Sequence, residues 1–153
     1  MSAINEAMPW LLSKVVLPQN TDHAGVMWHG SYFLWLEEAR ITALFDVGLE
    51  YKDLSNEGYE MPVVNLNVKY ITPLFHGDKV VLESRIYQGR GVRLHWETRF
   101  VKDLNKIAAL ANVDLALVRK SGSRYRLLRN GPDYIEKALL KLQNGPSPEN
   151  NEY

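Results

Sequence analysis

The sequence predicts an α+β domain: an antiparallel sheet of about five strands wrapped around one long buried helix. Three observations carry this expectation. One strongly apolar helical run occupies residues 31–47. Strand-like runs follow it in succession, separated by short turn segments. A further apolar run, residues 10–17, precedes the helix and ends at Pro18.

Residues 10–17, Trp-Leu-Leu-Ser-Lys-Val-Val-Leu, read as the first strand, and residues 19–30 as a loop. The helix starts at Ser31, a cap or first-turn residue. It carries Tyr32, Phe33, Leu34, Trp35, Leu36, Ala39, Ile41, Ala43, Leu44, Phe45 and Val47. A helix apolar nearly all round is expected to be buried. Gly48 supplies its C-terminal stop. A connecting segment, 51–60, leads to a strand in which Val64, Leu66, Val68 and Tyr70 alternate with more polar neighbours, the pattern of a half-buried strand closed by Pro73. Runs 79–88 and 93–102 are two more strands, with Gly89-Arg90-Gly91 as the hairpin turn between them. The run 106–119 holds Ala108, Ala109 and Ala111, which also suit a helix. A turn at Asp103-Leu104-Asn105 and the alternation of Val113, Leu115 and Leu117 favour a strand. A short helix is expected at 134–142. There is no internal repeat. A single domain is expected to span 1–143, followed by a polar, mobile tail at 144–153.

The chain has 153 residues, enough for one domain with a real core. Eighteen basic and eighteen acidic side chains give zero net charge, which weighs against a general nucleic-acid binder. There is no cysteine, so disulfides, thiolate metal sites and cysteine nucleophiles are excluded. The four histidines, His23, His29, His76 and His95, are scattered, and no metal site is expected. No apolar run reaches the roughly 18 residues of a membrane span. The first residues lack the basic start and apolar stretch of a signal peptide, and a cytoplasmic location is the expectation.

The segment Thr21-Asp22-His23-Ala24-Gly25-Val26-Met27-Trp28-His29-Gly30-Ser31-Tyr32 is the most informative one. It sets a carboxylate, a glycine and a histidine ahead of the apolar helix. A helix N-terminus offers unpaired N–H groups and partial positive charge. A carboxylate there can attack a polarised carbonyl or activate water. The commonplace role of such an Asp is a helix cap.

The pattern Asp22-x-x-Gly25-Val26-x-x-His29, followed by Tyr32-x-x-Trp35-x-x-Glu38-Ala39-Arg40, resembles the hotdog-fold acyl-CoA thioesterases of the 4-hydroxybenzoyl-CoA thioesterase family. A second block, Val68-Lys69-Tyr70-Ile71-Thr72-Pro73-Leu74-Phe75-His76-Gly77-Asp78, fits the same family, and the resemblance runs from about residue 12 to 135. The departures are Asn20 where many relatives carry a first Asp, His23 in place of a small residue or proline, and Trp28 where Tyr or Phe is common. The resemblance implies a hotdog fold and hydrolysis of a thioester to free acid and CoA. Asp22 would be the nucleophile or the general base, and the two routes stay open. The backbone N–H of His29 would polarise the carbonyl, and its imidazole would orient substrate or water. Gly25 would allow the turn, and Val26, Trp28, Tyr32 and Asn65 would line the substrate pocket. Tyr32 and Trp35 are at helical spacing, where core is the commoner role. Glu37 and Glu38 are alternative acids; their commonplace roles are solvent exposure or, for Glu37, an ion pair with Arg40.

Arg90 and Arg93 flank the hairpin turn where relatives place cations for the CoA nucleotide. Arg119, Lys120, Arg124, Arg126 and Arg129 form a second basic run. No cofactor is implied, because CoA is part of the substrate. Dimers or tetramers are implied, with the strand at 63–70 contributing Asn65 and Asn67 to a neighbour's acyl pocket. The substrates implied are aryl-CoAs, such as 4-hydroxybenzoyl-CoA or 1,4-dihydroxy-2-naphthoyl-CoA, or fatty acyl-CoAs. An acyl carrier protein thioesterase, a hotdog hydratase and a non-catalytic acyl-CoA binder are the competing readings.

Overall fold

The computed structural model describes residues 6–148. Residues 1–5, read above for a leader, and 149–153 of the tail lie outside the described residues. Strand β1 (Trp10–Val15) and a 3-10 turn (Pro18–Asn20) precede helix α1 (His29–Asp46). Helix α2 (Tyr51–Asn56), β2 (Tyr59–Glu60) and β3 (Val63–Tyr70) follow. Next come β4 (Lys79–Tyr87), β5 (Leu94–Lys102), β6 (Lys106–Leu115), β7 (Val118–Ser121) and β8 (Arg124–Leu127). Helix α3 (Asp133–Asn144) closes the chain.

Five strands form an antiparallel sheet in the order β1-β4-β5-β6-β3. The period-2 pattern turns one face inward: Val80, Leu82 and Ile86 of β4, Leu94, Trp96 and Phe100 of β5, and Ala109, Ala111, Val113 and Leu115 of β6 are all buried. These join Tyr32, Trp35, Leu36, Ala39, Ala43 and Leu44 of α1 in one core. Of the alanines that made β6 ambiguous, Ala109 and Ala111 therefore belong to the inner face of a central strand, and Ala108 is buried at the register shift beside them. One polar pair sits in this core and satisfies itself: Ser84 Oγ and Thr98 Oγ1, opposite each other on β4 and β5, are 2.8 Å apart. Helix α3 buries Ile135, Ala138, Leu139 and Leu142, the spacing of one helix face. The Trp10 indole donates to the Leu142 carbonyl at 2.8 Å, tying the helix end to β1.

Several expectations are corrected. Helix α1 begins at His29, two residues before Ser31, because the Ser31 hydroxyl turns inward and donates to the Asn20 carbonyl at 3.0 Å. It is not buried all round: Phe33, Leu34 and Phe45 are 41%, 63% and 58% exposed. The connecting segment contains helix α2, which buries only Leu54. The run 106–119 breaks after Leu115, and Val118 starts a separate three-stranded sheet in the order β2-β7-β8. Four residues of the basic run, Arg119, Lys120, Arg124 and Arg126, therefore stand on the β7–β8 hairpin, where Arg119 lies over the Tyr59 ring, and Arg129 follows β8. The β4–β5 connection is an open loop from Gln88 to Arg93 rather than a tight turn. Strand β3 is the sheet edge, and all of it but Val68 is exposed.

Candidate active site

The loop carrying Asp22 is a closed hairpin. Its sides are joined by a bridge between Thr21 and Met27, and Trp28 N–H donates to the Asn20 carbonyl at 3.1 Å. Asp22 and Val26 face each other at the next level, with Asp22 N–H donating to the Val26 carbonyl at 2.8 Å. The turn beyond them closes through Gly25 N–H on the Asp22 carbonyl at 3.0 Å. Gly25 has φ +78°, a conformation that costs a residue with a Cβ. Val26 also bridges to Phe75, and Met27 N–H donates to the Leu74 carbonyl, so the hairpin is fastened to the segment after β3.

The Asp22 carboxylate does not cap α1, which starts at His29. Its Oδ1 accepts the N–H of Ala24 at 2.8 Å and of Val26 at 3.2 Å. Two backbone donors on one oxygen fix the carboxylate's orientation. Among the described residues Oδ2 has no hydrogen-bond donor, and the side chain is exposed. One oxygen is anchored and the other is available.

The start of α1 is left open. The N-cap residue is Trp28, whose indole has no acceptor atom and makes no cap hydrogen bond. The Ser31 N–H is used by the Trp28 carbonyl. Among the described residues, the N–H groups of His29 and Gly30 have no acceptor. Around them stand three aromatic rings, all exposed: His29 meets Trp28 edge-to-face at 5.2 Å and Phe33 at 6.3 Å. Gly30 makes room for this arrangement, because a Cβ there would stand 2.2 Å from the Trp28 ring. The lip thus pairs two free amides with apolar aromatic surface, a setting for a carbonyl oxygen on a flat or apolar acyl group.

A family model described as the thioesterase-like superfamily matches residues 16–140. The chain belongs to that superfamily. A candidate esterase of Synechocystis sp. is 32% identical over 128 residues, covering 84% of this chain and 76% of the relative. A 1,4-dihydroxy-2-naphthoyl-CoA hydrolase of Trichodesmium erythraeum is 26% identical over 142 residues, covering 89% and 99%. Among solved structures, a DHNA-CoA thioesterase from Staphylococcus aureus superposes with a TM-score of 0.74 at 26% identity, covering 87% of this chain and 89% of that one. The hotdog fold and the enzyme class read from the sequence, a thioester hydrolase, agree with these relatives.

Within this thioesterase-like fold, Asp22, Gly25, Val26, Trp28 and His29 share the one hairpin and helix start. The other residues expected at this site, at the CoA nucleotide or, for Asn65 and Asn67, in a neighbour's pocket lie outside the hairpin. Tyr32 is 2% exposed and packs its ring against Tyr70 and Phe100. Burial, then the neighbouring Tyr70, pushes its hydroxyl up to about 12, so it is a neutral core residue. Arg93 turns inward, its guanidinium is paired with the Glu136 carboxylate of α3, and its Nε is buried without a partner among the described residues, so the side chain is not presented at the surface. Glu136 also accepts the Gly131 N–H at 2.7 Å. Asn65 sits opposite Asp114, on the outer face of the sheet away from α1, and donates to its carboxylate at 3.3 Å.

Arg90 is exposed, on the wall of a shallow cavity of about 500 Å³ shared with Tyr87, Gln88 and His95. His23 is exposed at the hairpin tip. Glu38 is paired with Lys14 at 2.8 Å. Glu37 is exposed and forms no ion pair with Arg40. Sequence reading missed Gly30 and Phe33. The signal for Gly30 was its place two residues after a tryptophan at a helix start, where a missing Cβ is space for a ring.

Proposed function

We propose that this protein hydrolyses acyl-CoA thioesters at the hairpin-to-helix junction, with Asp22 as nucleophile or general base. The observation that carries the reading is the division of labour at Asp22. One oxygen is anchored by two backbone N–H groups and the other is open, on the hairpin that leads into an uncapped helix end. The His29 N–H is the donor for the developing oxyanion, and a fixed donor of this kind is commonly worth about 3 kcal/mol of transition-state stabilisation. The thiolate of CoA leaves readily, so no strong general acid is required. Trp28, Val26 and Phe33 supply apolar contact for the acyl group, which favours an aryl-CoA substrate, in keeping with the dihydroxynaphthoyl-CoA relatives. Arg90 is the cation for CoA phosphate, since it is exposed and its neighbour Arg93 is engaged with Glu136.

Self-association through β3 belongs to the same reading. An eight-residue edge strand with Val64 54% and Leu66 38% exposed presents unpaired backbone and apolar side chains, which suits pairing with a second copy.

The test is thiol release from a panel of aryl-, short-chain and long-chain acyl-CoAs, with Asp22→Asn alongside. Fast release that the substitution abolishes is the expected result. Release that survives Asp22→Asn overturns the assignment of the carboxylate, and no release from any member overturns the acyl-CoA reading.

A further inference from the structure

An ion pair with Glu37 is one of the roles the sequence allows, but in the folded chain Arg40 has no ion-pair or hydrogen-bond partner among the described residues. It is half-buried on α1. Arg40 lines a cavity of about 210 Å³ between α1, α2 and the start of β3. The walls are mostly apolar: Ile41 and Leu44 of α1, Leu54 of α2, then Met61 and Val63. Of the two nearby carboxylates, Glu60 is engaged by hydroxyls, those of Tyr51 at 2.8 Å and Ser55 at 2.9 Å, and Glu37 lines the cavity, exposed and without a partner among the described residues. Burial lowers the Arg40 pKa, opposed by Glu37 and Tyr51, so this cation is partly desolvated and keeps hydrogen-bonding capacity for a ligand.

We propose that this cavity is a second binding site, for a small organic acid with an apolar body. Its carboxylate forks onto Arg40, and its body fills the space against Leu44, Leu54 and Met61. Guanidinium geometry matches a carboxylate bidentately, which an ammonium does not. The volume sets an upper limit near one or two fused rings or a short chain. The site is distinct from the Asp22 hairpin: at about 1.5 Å per residue, Arg40 lies about 16 Å along the helix axis from His29. Its ligand class is the acid that thioester hydrolysis releases, so the reaction proposed above would supply it.

The experiment is calorimetric titration of the full chain with benzoate, 2-naphthoate and hexanoate, and with benzamide as the uncharged control. At least one acid is expected to bind saturably, with affinity falling at least tenfold in Arg40→Gln and benzamide not binding. Leu54→Trp, which fills the cavity and keeps Arg40, is expected to abolish binding. Asp22→Asn is expected to bind as the unsubstituted chain does. Each variant is first checked by thermal melting. Absence of saturable binding by all three acids, or affinity unchanged in both Arg40→Gln and Leu54→Trp, overturns the site. Binding lost in Asp22→Asn but kept in Arg40→Gln places the acids at the hairpin instead and also overturns it.

Discussion

The two ends of α1 are built to opposite specifications. At the C-terminus the chain satisfies itself. Val47 N–H donates to the carbonyls of Ala43 and Leu44, Gly48 N–H to that of Phe45, and Gly48 turns the chain at φ +86°. At the N-terminus a tryptophan occupies the cap position without capping, and two N–H groups stay open beside three exposed rings. A Ser, Thr, Asp or Asn in place of Trp28 would commonly stabilise a helix by about 1 kcal/mol. That stabilisation is forgone at the end facing the Asp22 hairpin and kept at the other. The difference separates an end that holds the fold from the end at which the proposed reaction would take place.

The largest expected effect comes from breaking the open end. Asp22→Asn keeps an oxygen for the backbone N–H groups of Ala24 and Val26, so the hairpin is expected to persist. The rate of acyl-CoA hydrolysis is expected to fall about a hundredfold to ten-thousandfold, with the melting temperature nearly unchanged. Steady-state kinetics and a thermal melt on the same preparation decide it. A large loss of stability together with rate would make Asp22 a structural residue.

Gly30→Ala sharpens the contrast. A Cβ at residue 30 would meet the far edge of the Trp28 ring, at 2.2 to 2.7 Å. Trp28 is 42% exposed and can swing outward, while alanine favours the helix over glycine by about 1 kcal/mol. Stability should therefore hold or rise, and kcat/KM on aryl-CoA substrates should fall about tenfold through the displaced ring. Unchanged kcat/KM would remove Trp28 from the acyl pocket.

The opposite end supplies the mirror test. Gly48→Ala meets no neighbouring atom, yet it forces a Cβ into the left-handed region. A loss of about 1 kcal/mol of stability is expected with kcat/KM unchanged, measured by denaturant unfolding and the same assay. A drop in activity larger than the stability loss would show that the closed end also serves the reaction.

The same contrast explains what was legible in the sequence. Central strands and the C-terminal stop follow from local patterns: alternation in β4, β5 and β6, and a glycine after the helix. The Asp22-to-His29 segment stood out because it sets a carboxylate, a glycine and a histidine ahead of an apolar helix. Partnerships across the fold were not legible. Arg93 lies beside the hairpin loop in sequence, but Glu136 claims it from α3. Asn65 shares its strand with apolar neighbours, and a period of two sends it to the outer face. Alternation in β3 suggested half-burial, but pattern alone cannot tell a central strand from an edge whose apolar side lacks cover. Helical spacing left Glu37 either exposed or paired with Arg40, and the folded chain leaves it exposed and unpaired among the described residues.

The smallest effect lies on the outer sheet face, remote from both helix ends. His95 Nδ1 is 2.5 Å from Asp114, and Nε2 is near Asn112 at 3.2 Å and Glu97 at 3.5 Å; Arg90 borders the same cavity. Burial lowers the His95 pKa, but the hydrogen bond and charge of Asp114, with Glu97, outweigh it and leave the value raised above 6.5. The hydrogen bond from His95 in turn lowers Asp114 below 3.8. A raised histidine gives its full stabilisation below its unfolded value and loses it as pH rises through the folded one. A lowered aspartate gives its stabilisation above its unfolded value and loses it as pH falls through the folded one. Both contributions are present together between 3.8 and 6.5. Solvent access to the pair keeps the sum to about 1 kcal/mol or less. The gap in melting temperature between the unsubstituted chain and His95→Gln should be widest in that window and shrink above it. A gap that grows above pH 6.5 would mean that His95 is neutral in the folded chain, and that its tie to Asp114 joins β5 to β6 without charge.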